Sequence, residues 1–150
     1  MSDVMRVFSD LVRYETRLYN VVGERLRAEH GLTASQFEFL RIIGGRDHCR
    51  VGDLAHEVAI TVGATSKAVD RLEAAGWVAR RPNPENRRSS LLVLTEAGRR
   101  LLDAATPAFE DALGTWLAGP LTGKALEQLA SAVAVLRKHM EDERAGLPTG

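Results

Sequence analysis

From Val4 onward, apolar residues return every three or four positions, as Val4, Val7, Phe8, Leu11, Tyr14, Leu18, Val21 and Val22. That is the period of an amphipathic helix, and it predicts one long helix ending near Gly31. Thr33 followed by Gln36 reads as a capping box for a second helix, with Phe37, Leu40 and Ile43 on its inner face and Gly44 and Gly45 closing it. The segment VGDLAHEVAI fits a third, short helix. Thr61 then caps a fourth over residues 62 to 76, in which Val69 and Leu72 face inward and Gly76 supplies the stop.

The period changes after Gly76. WVARR, 77 to 81, and SLLVL, 90 to 94, are short strand candidates on either side of the polar tip PNPENRRS, and together they predict a hairpin. Thr95 restarts helix, carried by Leu101, Leu102, Phe109, Leu113, Trp116 and Leu117, and Pro107 is expected to kink or divide it. After Ala118-Gly119-Pro120, Thr122 caps a last helix whose Leu126, Leu129, Val133, Leu136 and Met140 form an apolar seam, and the tail AGLPTG is expected to fray. The predicted fold is mainly α with a small two-stranded β element, in one domain covering residues 1 to 150.

Two helices joined by a tight turn, the second opening with small and polar residues, form an arrangement that lets a helix N-terminus enter a DNA major groove. A basic hairpin tip beside such a helix can reach the adjacent minor groove, whose negative potential favours inserted arginine. The formal net charge of the chain is zero, which hides a local field. Residues 67 to 100 hold eight Lys or Arg against four acids, whereas residues 101 to 150 hold four against seven. The positive charge therefore gathers around the arginine tip.

The block VGDLAHEVAITVGATSKAVDRLEAAGWVARRPNPENRRSSLLVLTEAG, 51 to 98, resembles the multiple-antibiotic-resistance regulator (MarR) family of winged helix-turn-helix repressors. DRLEAAGWV, then a basic wing, then LTEAG is the specific part of that likeness. The resemblance implies a winged helix-turn-helix lobe over 33 to 100 and a dimerisation region from the terminal helices, 1 to 31 and 118 to 145. It also implies a cytoplasmic homodimer that binds double-stranded DNA at a pseudo-palindromic operator, with no cofactor and no membrane contact. Carried over position by position, DNA contacts fall on Thr61, Val62, Gly63, Thr65, Ser66, Lys67 and Arg71 of the fourth helix and on Arg87 and Arg88 of the wing. Where the family's wing commonly carries an aspartate that orients the arginine, this chain has Asn86, which can accept a hydrogen bond but brings no charge.

The same resemblance implies release by a small, often aromatic and anionic effector. Arg13, Tyr14, Arg17, Phe37, Arg41 and Trp116 are the candidate lining residues, aromatic faces giving area and an arginine pairing with a carboxylate. Enzyme classes find no support: there is no P-loop, dinucleotide-binding glycine pattern, HExxH or Gly-x-Ser-x-Gly. Other readings are a metal-sensing regulator built on His48, Cys49 and His56, a redox switch at Cys49, and a helical protein-interaction module that does not read DNA. The single cysteine excludes a disulfide scaffold, and no window approaches the ~18 to 20 apolar residues of a membrane span, so a soluble intracellular protein is expected.

Overall fold

A computed structural model describes the chain from Asp3 to Pro148. Six helices and one hairpin follow in order: α1 (Asp3–His30), α2 (Ala34–Gly45), α3 (Val51–Val58), α4 (Val62–Ala74), β1 (Val78–Pro82), β2 (Ser90–Leu94), α5 (Glu96–Leu113) and α6 (Gly123–Asp142). A π-helical turn, Gly114–Ala118, separates α5 from α6.

The helix starts lie where the threonines put them. Thr33 Oγ1 accepts from the Gln36 amide at 3.0 Å while the Gln36 side chain accepts from the Thr33 amide at 3.0 Å, a complete capping box. Thr61, Thr95 and Thr122 each accept the amide three residues on, from Ala64, Gly98 and Ala125. Each cap satisfies a donor that the first helical turn would otherwise leave unpaired.

Three expectations need correction. The third helix stops at Val58 rather than running to Ile60, because Ala59 turns left-handed at φ 55°. There the Ala59 amide donates to His56 O and the Ile60 amide to Ala55 O, a Schellman ending built on an alanine instead of the usual glycine. The first strand is shifted by one residue, to Val78–Pro82, with Val78 opposite Leu94 and Pro82 opposite Ser90. Pro82, which has no N–H to give, sits at the strand end where none is needed. Pro107 does not divide α5, which runs through it as one helix. Pro107 and Asp103 are both exposed, so the carbonyl left without its i+4 donor faces water.

The core lies where α1, α2, α4, α5 and the hairpin meet. Leu26, Leu32, Phe37, Leu40, Leu54, Val69, Leu72 and Leu92 are buried there, and the Phe37 ring packs against Phe109 at 4.6 Å between centroids. The loop before α3 adds one rung to the sheet, where the Leu92 amide donates to Cys49 O at 2.7 Å. Both ends of the chain contrast with this. On the first half of α1, Val4, Met5, Val7, Phe8 and Leu11 are exposed, and no residue of α6 is buried.

Candidate nucleic-acid interface

Helix α4 turns one face to the core and the other to solvent. Thr65, Val69 and Leu72, spaced four and three apart, are buried along one stripe. Thr65 is therefore not on the outer face as expected: it is fully buried, and its hydroxyl donates to Thr61 O at 2.8 Å. Val62, Gly63, Lys67 and Arg71 are exposed, and Thr61 and Ser66 are half-buried at the edge. Thr61 is occupied as the cap of α4, leaving the hydroxyl lone pair that Ala64 does not use.

Acids surround the basic residues of α4, and their pairing decides which cations stay free. Asp70 and Glu73 do not pair with Arg71. Both are taken by Arg80 of β1, whose Nη2 lies 2.9 Å from Asp70 Oδ1 and Nη1 2.7 Å from Glu73 Oε1. Lys67 and Arg71 thus keep open charges, with no ion pair among the described residues. Arg80 is one of the eight bases counted between residues 67 and 100, and its partners give it the task of neutralising helix acids.

The wing owes its shape to two asparagines. Asn83 Oδ1 accepts from the Glu85 amide at 3.0 Å, and Asn86 Oδ1 accepts from the Arg88 amide at 2.9 Å, so two successive Asx turns fold the tip. Asn83 Nδ2 also donates to Ser89 Oγ at 3.1 Å and ties the two sides of the loop. Asn86 thus fixes the backbone of Arg88 and leaves its guanidinium free. Arg81, Arg87 and Arg88 are exposed and carry no ion pair among the described residues.

Between α4, the start of α3 and the wing runs a groove of about 540 Å³, lined by Arg50, Ser66, Arg80, Arg88, Ser89 and Ser90 among others. Arg50, Ser89 and Ser90 were not among the expected contacts. Arg50 directly precedes α3, where its amide donates to Asp53 Oδ2 at 3.0 Å and its guanidinium holds the same carboxylate. The hydrogen bond from the Arg50 guanidinium, with a smaller share from its amide, holds the Asp53 carboxyl below the usual range, so its contribution to stability is present at neutral pH and is lost as pH falls through the lowered value. Hydroxyls and guanidinium groups along a groove suit phosphate oxygens, and the exposed Lys67 and Arg71 suit a base edge or a phosphate.

The candidate effector residues separate into groups. Tyr14, Arg17 and Trp116 line one cleft of about 390 Å³ with Leu18, Asn20 and Val21. Tyr14 Oη donates to the Trp116 carbonyl at 2.9 Å, and burial pushes its pKa up. Phe37 cannot touch a ligand: it is fully buried in the core against Phe109. Arg41 lies elsewhere, paired with Glu38 at 3.2 Å and stacked 5.8 Å from the Phe109 centroid, and Arg13 donates to Ser9 O, one turn back on α1. Cys49 is buried and desolvation raises its pKa, the opposite of a reactive thiolate. Among the described residues, no group of three or more His, Cys, Asp or Glu is placed to hold a metal ion, and no helix is long and apolar enough to cross a membrane.

A helix-turn-helix followed by a hairpin with an arginine tip defines a winged helix-turn-helix lobe. Residues 32–90 match the model of the MarR family. The solved structure of Sco3205, a MarR family transcriptional regulator from Streptomyces coelicolor in complex with DNA, has the same fold with a TM-score of 0.89, at 24% identity over 99% of this chain and 94% of that one. The uncharacterized HTH-type transcriptional regulator YcgE of Bacillus subtilis is 28% identical over 143 residues, 90% of this chain and 92% of the relative. YdgJ, another uncharacterized HTH-type transcriptional regulator of that organism, is 32% identical over 85 residues, so the match spans about half of each, 57% of this chain and 52% of the relative. Residues 32–90 thus match the MarR family, and the relatives that the chain resembles are named as transcriptional regulators.

Proposed function

We propose that the chain is a dimeric regulator that binds operator DNA through α4 and the wing and is released by a small-molecule effector. The observation that carries this reading is the set of uncompensated cations Lys67, Arg71, Arg87 and Arg88, placed on the outer face of one helix and on the wing tip beside it, while neighbouring acids are neutralised by Arg80. A module that bound only protein would have no use for that arrangement, whereas a phosphate-lined groove requires it. Val62, Gly63 and Thr61 at the start of α4 would approach the backbone, Ser66 and Lys67 the groove, and Arg71 the backbone one turn on.

Replacing Arg88 with Ala is expected to weaken operator binding by about 1 to 3 kcal/mol without unfolding the protein, as an arginine withdrawn from a groove would. Wild-type affinity in that variant, measured by gel shift, would remove Arg88 from the interface. Lys67→Ala is expected to narrow the gap between operator and random DNA, since a base contact discriminates and a phosphate contact does not. An equal loss on both DNAs would make Lys67 a backbone contact.

Dimerisation through the terminal helices, 1 to 31 and 118 to 145, is supported by what they leave uncovered. A monomer in which those stripes bury each other would hide them, yet Val133, Leu136 and Met140 of α6 are exposed, as are Val4, Met5, Val7, Phe8 and Leu11 on the first half of α1. An apolar expanse of that extent is the mark of an interaction surface. The remaining residues, 33 to 100, would then form the DNA-binding lobe of each protomer. A symmetric pair places two recognition helices about one helical turn of DNA apart.

The effector reading rests on the cleft of Tyr14, Arg17 and Trp116, where aromatic faces and one guanidinium suit an aromatic or aliphatic carboxylate. Release from the operator follows if such a ligand prefers the conformation that cannot bind DNA. A tenfold loss of DNA affinity needs about 1.4 kcal/mol of that preference, and by reciprocity operator must weaken the ligand tenfold. Titrating carboxylates that stabilise the free protein, with and without operator, checks the linkage. Equal affinity in both states would exclude those compounds as inducers.

A further inference from the structure

We infer that Arg80 is a positioning residue that acts on DNA binding by masking two carboxylates of the recognition helix, and that it makes no DNA contact of its own. The inference rests on the DNA-binding reading above. It starts from the phase of α4. At 100° per residue, Asp70 lies about 60° from Lys67 around the helix and about 4.5 Å further along it. Asp70 therefore shares the outer face with Lys67 and Arg71, and all three are exposed. Glu73 follows three residues later, about 60° further round the helix.

Two bare carboxylates on that helix would oppose a phosphate that Lys67 or Arg71 engaged within a Debye length, about 8 Å, of them. Arg80 prevents that. Its guanidinium is shared between Asp70 at 2.9 Å and Glu73 at 2.7 Å, one nitrogen for each. The side chain is only 25% exposed, against 63% for Asp70. Arg80 also lines the groove between helix and wing, where Ser66 and Arg88 stand on the two sides. Two of its five N–H donors are engaged and its single charge is shared between two carboxylates, so it brings no net positive charge to a phosphate. Its neighbour Arg81, exposed and without a partner among the described residues, has the opposite character. The adjacent arginines of one strand thus divide the work, Arg80 cancelling charge on the helix and Arg81 adding charge at the surface.

Salt dependence and charge rescue separate a mask from a contact. The full-length protein is titrated onto operator DNA over a range of salt, as wild type, Arg80→Met, and Arg80→Met combined with Asp70→Asn and Glu73→Gln. Thermal melts establish that each variant is folded. Arg80→Met is expected to bind at least tenfold more weakly, with its log K against log salt slope unchanged, and the triple variant to recover to within about threefold of wild type at the salt where the slopes are compared. A slope smaller by about 0.9 with no recovery would make Arg80 a phosphate contact and overturn the inference. An unchanged slope with no recovery would also overturn it, by showing that Arg80 matters only for the placement of the wing. Wild-type affinity in Arg80→Met would end it outright. If the wild-type protein itself binds no DNA, the DNA-binding reading fails first and takes this one with it.

Discussion

Replacing Gly98 with Ala is expected to lower stability by about 2 kcal/mol or more, although a glycine-to-alanine change inside a helix ordinarily adds up to about 1 kcal/mol. Gly98 is buried in the first turn of α5, and a Cβ built on it would fall within 2.8 Å of the Trp77 carbonyl carbon and closer still to its oxygen. The obstacle is backbone, so no rotamer change can clear it. That backbone is also held in place: the Trp77 carbonyl accepts the Thr95 amide at 3.0 Å, and Thr95 Oγ1 donates to Gly76 O at 2.6 Å. Thr95 thus caps α5 and clamps the turn between α4 and the wing, and Gly98 is the residue that lets the two approach. The added carbon must push α5 from β1, and the steric loss of about 3 kcal/mol exceeds the propensity gain. A fall in Tm of roughly 4 to 8 °C is the expected readout for a chain of this size. Gly52 of α3, with nothing within 4 Å of its added Cβ, is the control, and Gly52→Ala should leave Tm unchanged or raise it. An unchanged Tm in Gly98→Ala would show that the helix and strand are not locked.

Leu136→Asp is expected to split the dimer while leaving each protomer folded, and with it to remove most DNA affinity. In the single chain Leu136 is 59% exposed and belongs to no core, so a carboxylate there costs the protomer little. In a dimer that covers α6 the same carboxylate would be buried without a partner, at a cost of several kcal/mol on each side of the two-fold axis. Two half-sites held together bind through effective concentration, and losing the link is expected to weaken operator binding by about 10² to 10⁴. Light scattering gives the mass and circular dichroism the helix content. A folded variant that remains dimeric, or one that binds operator as tightly as wild type, would remove α6 from the interface.

Local chemistry made much of this molecule legible in the sequence. The four capping threonines each act over three residues, and all four helix starts follow from them. The hairpin followed from β-branched and aliphatic residues flanking a proline- and asparagine-rich tip, with the second strand placed at 90 to 94 and the first misplaced by one residue. The end of α3 was missed because a left-handed alanine has no mark in sequence, unlike the left-handed Gly76, at φ 84°, that ends α4. Thr65 was misread although the signal was present: it precedes Val69 by four residues and Leu72 by seven, which puts its hydroxyl on the inward stripe. Phe37 likewise had already been placed on the inner face of α2, and a residue cannot fill a core and line a cleft at once. The pairing of Arg80 was out of reach, because it depends on how β1 lies against α4. The seam of α6 was visible as a pattern, and among the described residues none of that helix is fully buried.

The measurement that bears most directly on the whole account is a hydroxyl-radical footprint of the intact protein on the DNA flanking its own gene, run with wild type and with Arg88→Ala. The account predicts two protected half-sites related by two-fold symmetry and about one helical turn apart, with protection of the adjacent minor grooves that fades first in the Arg88 variant. Protection of a single unpaired site, or symmetric protection to which Arg88 makes no difference, would contradict it.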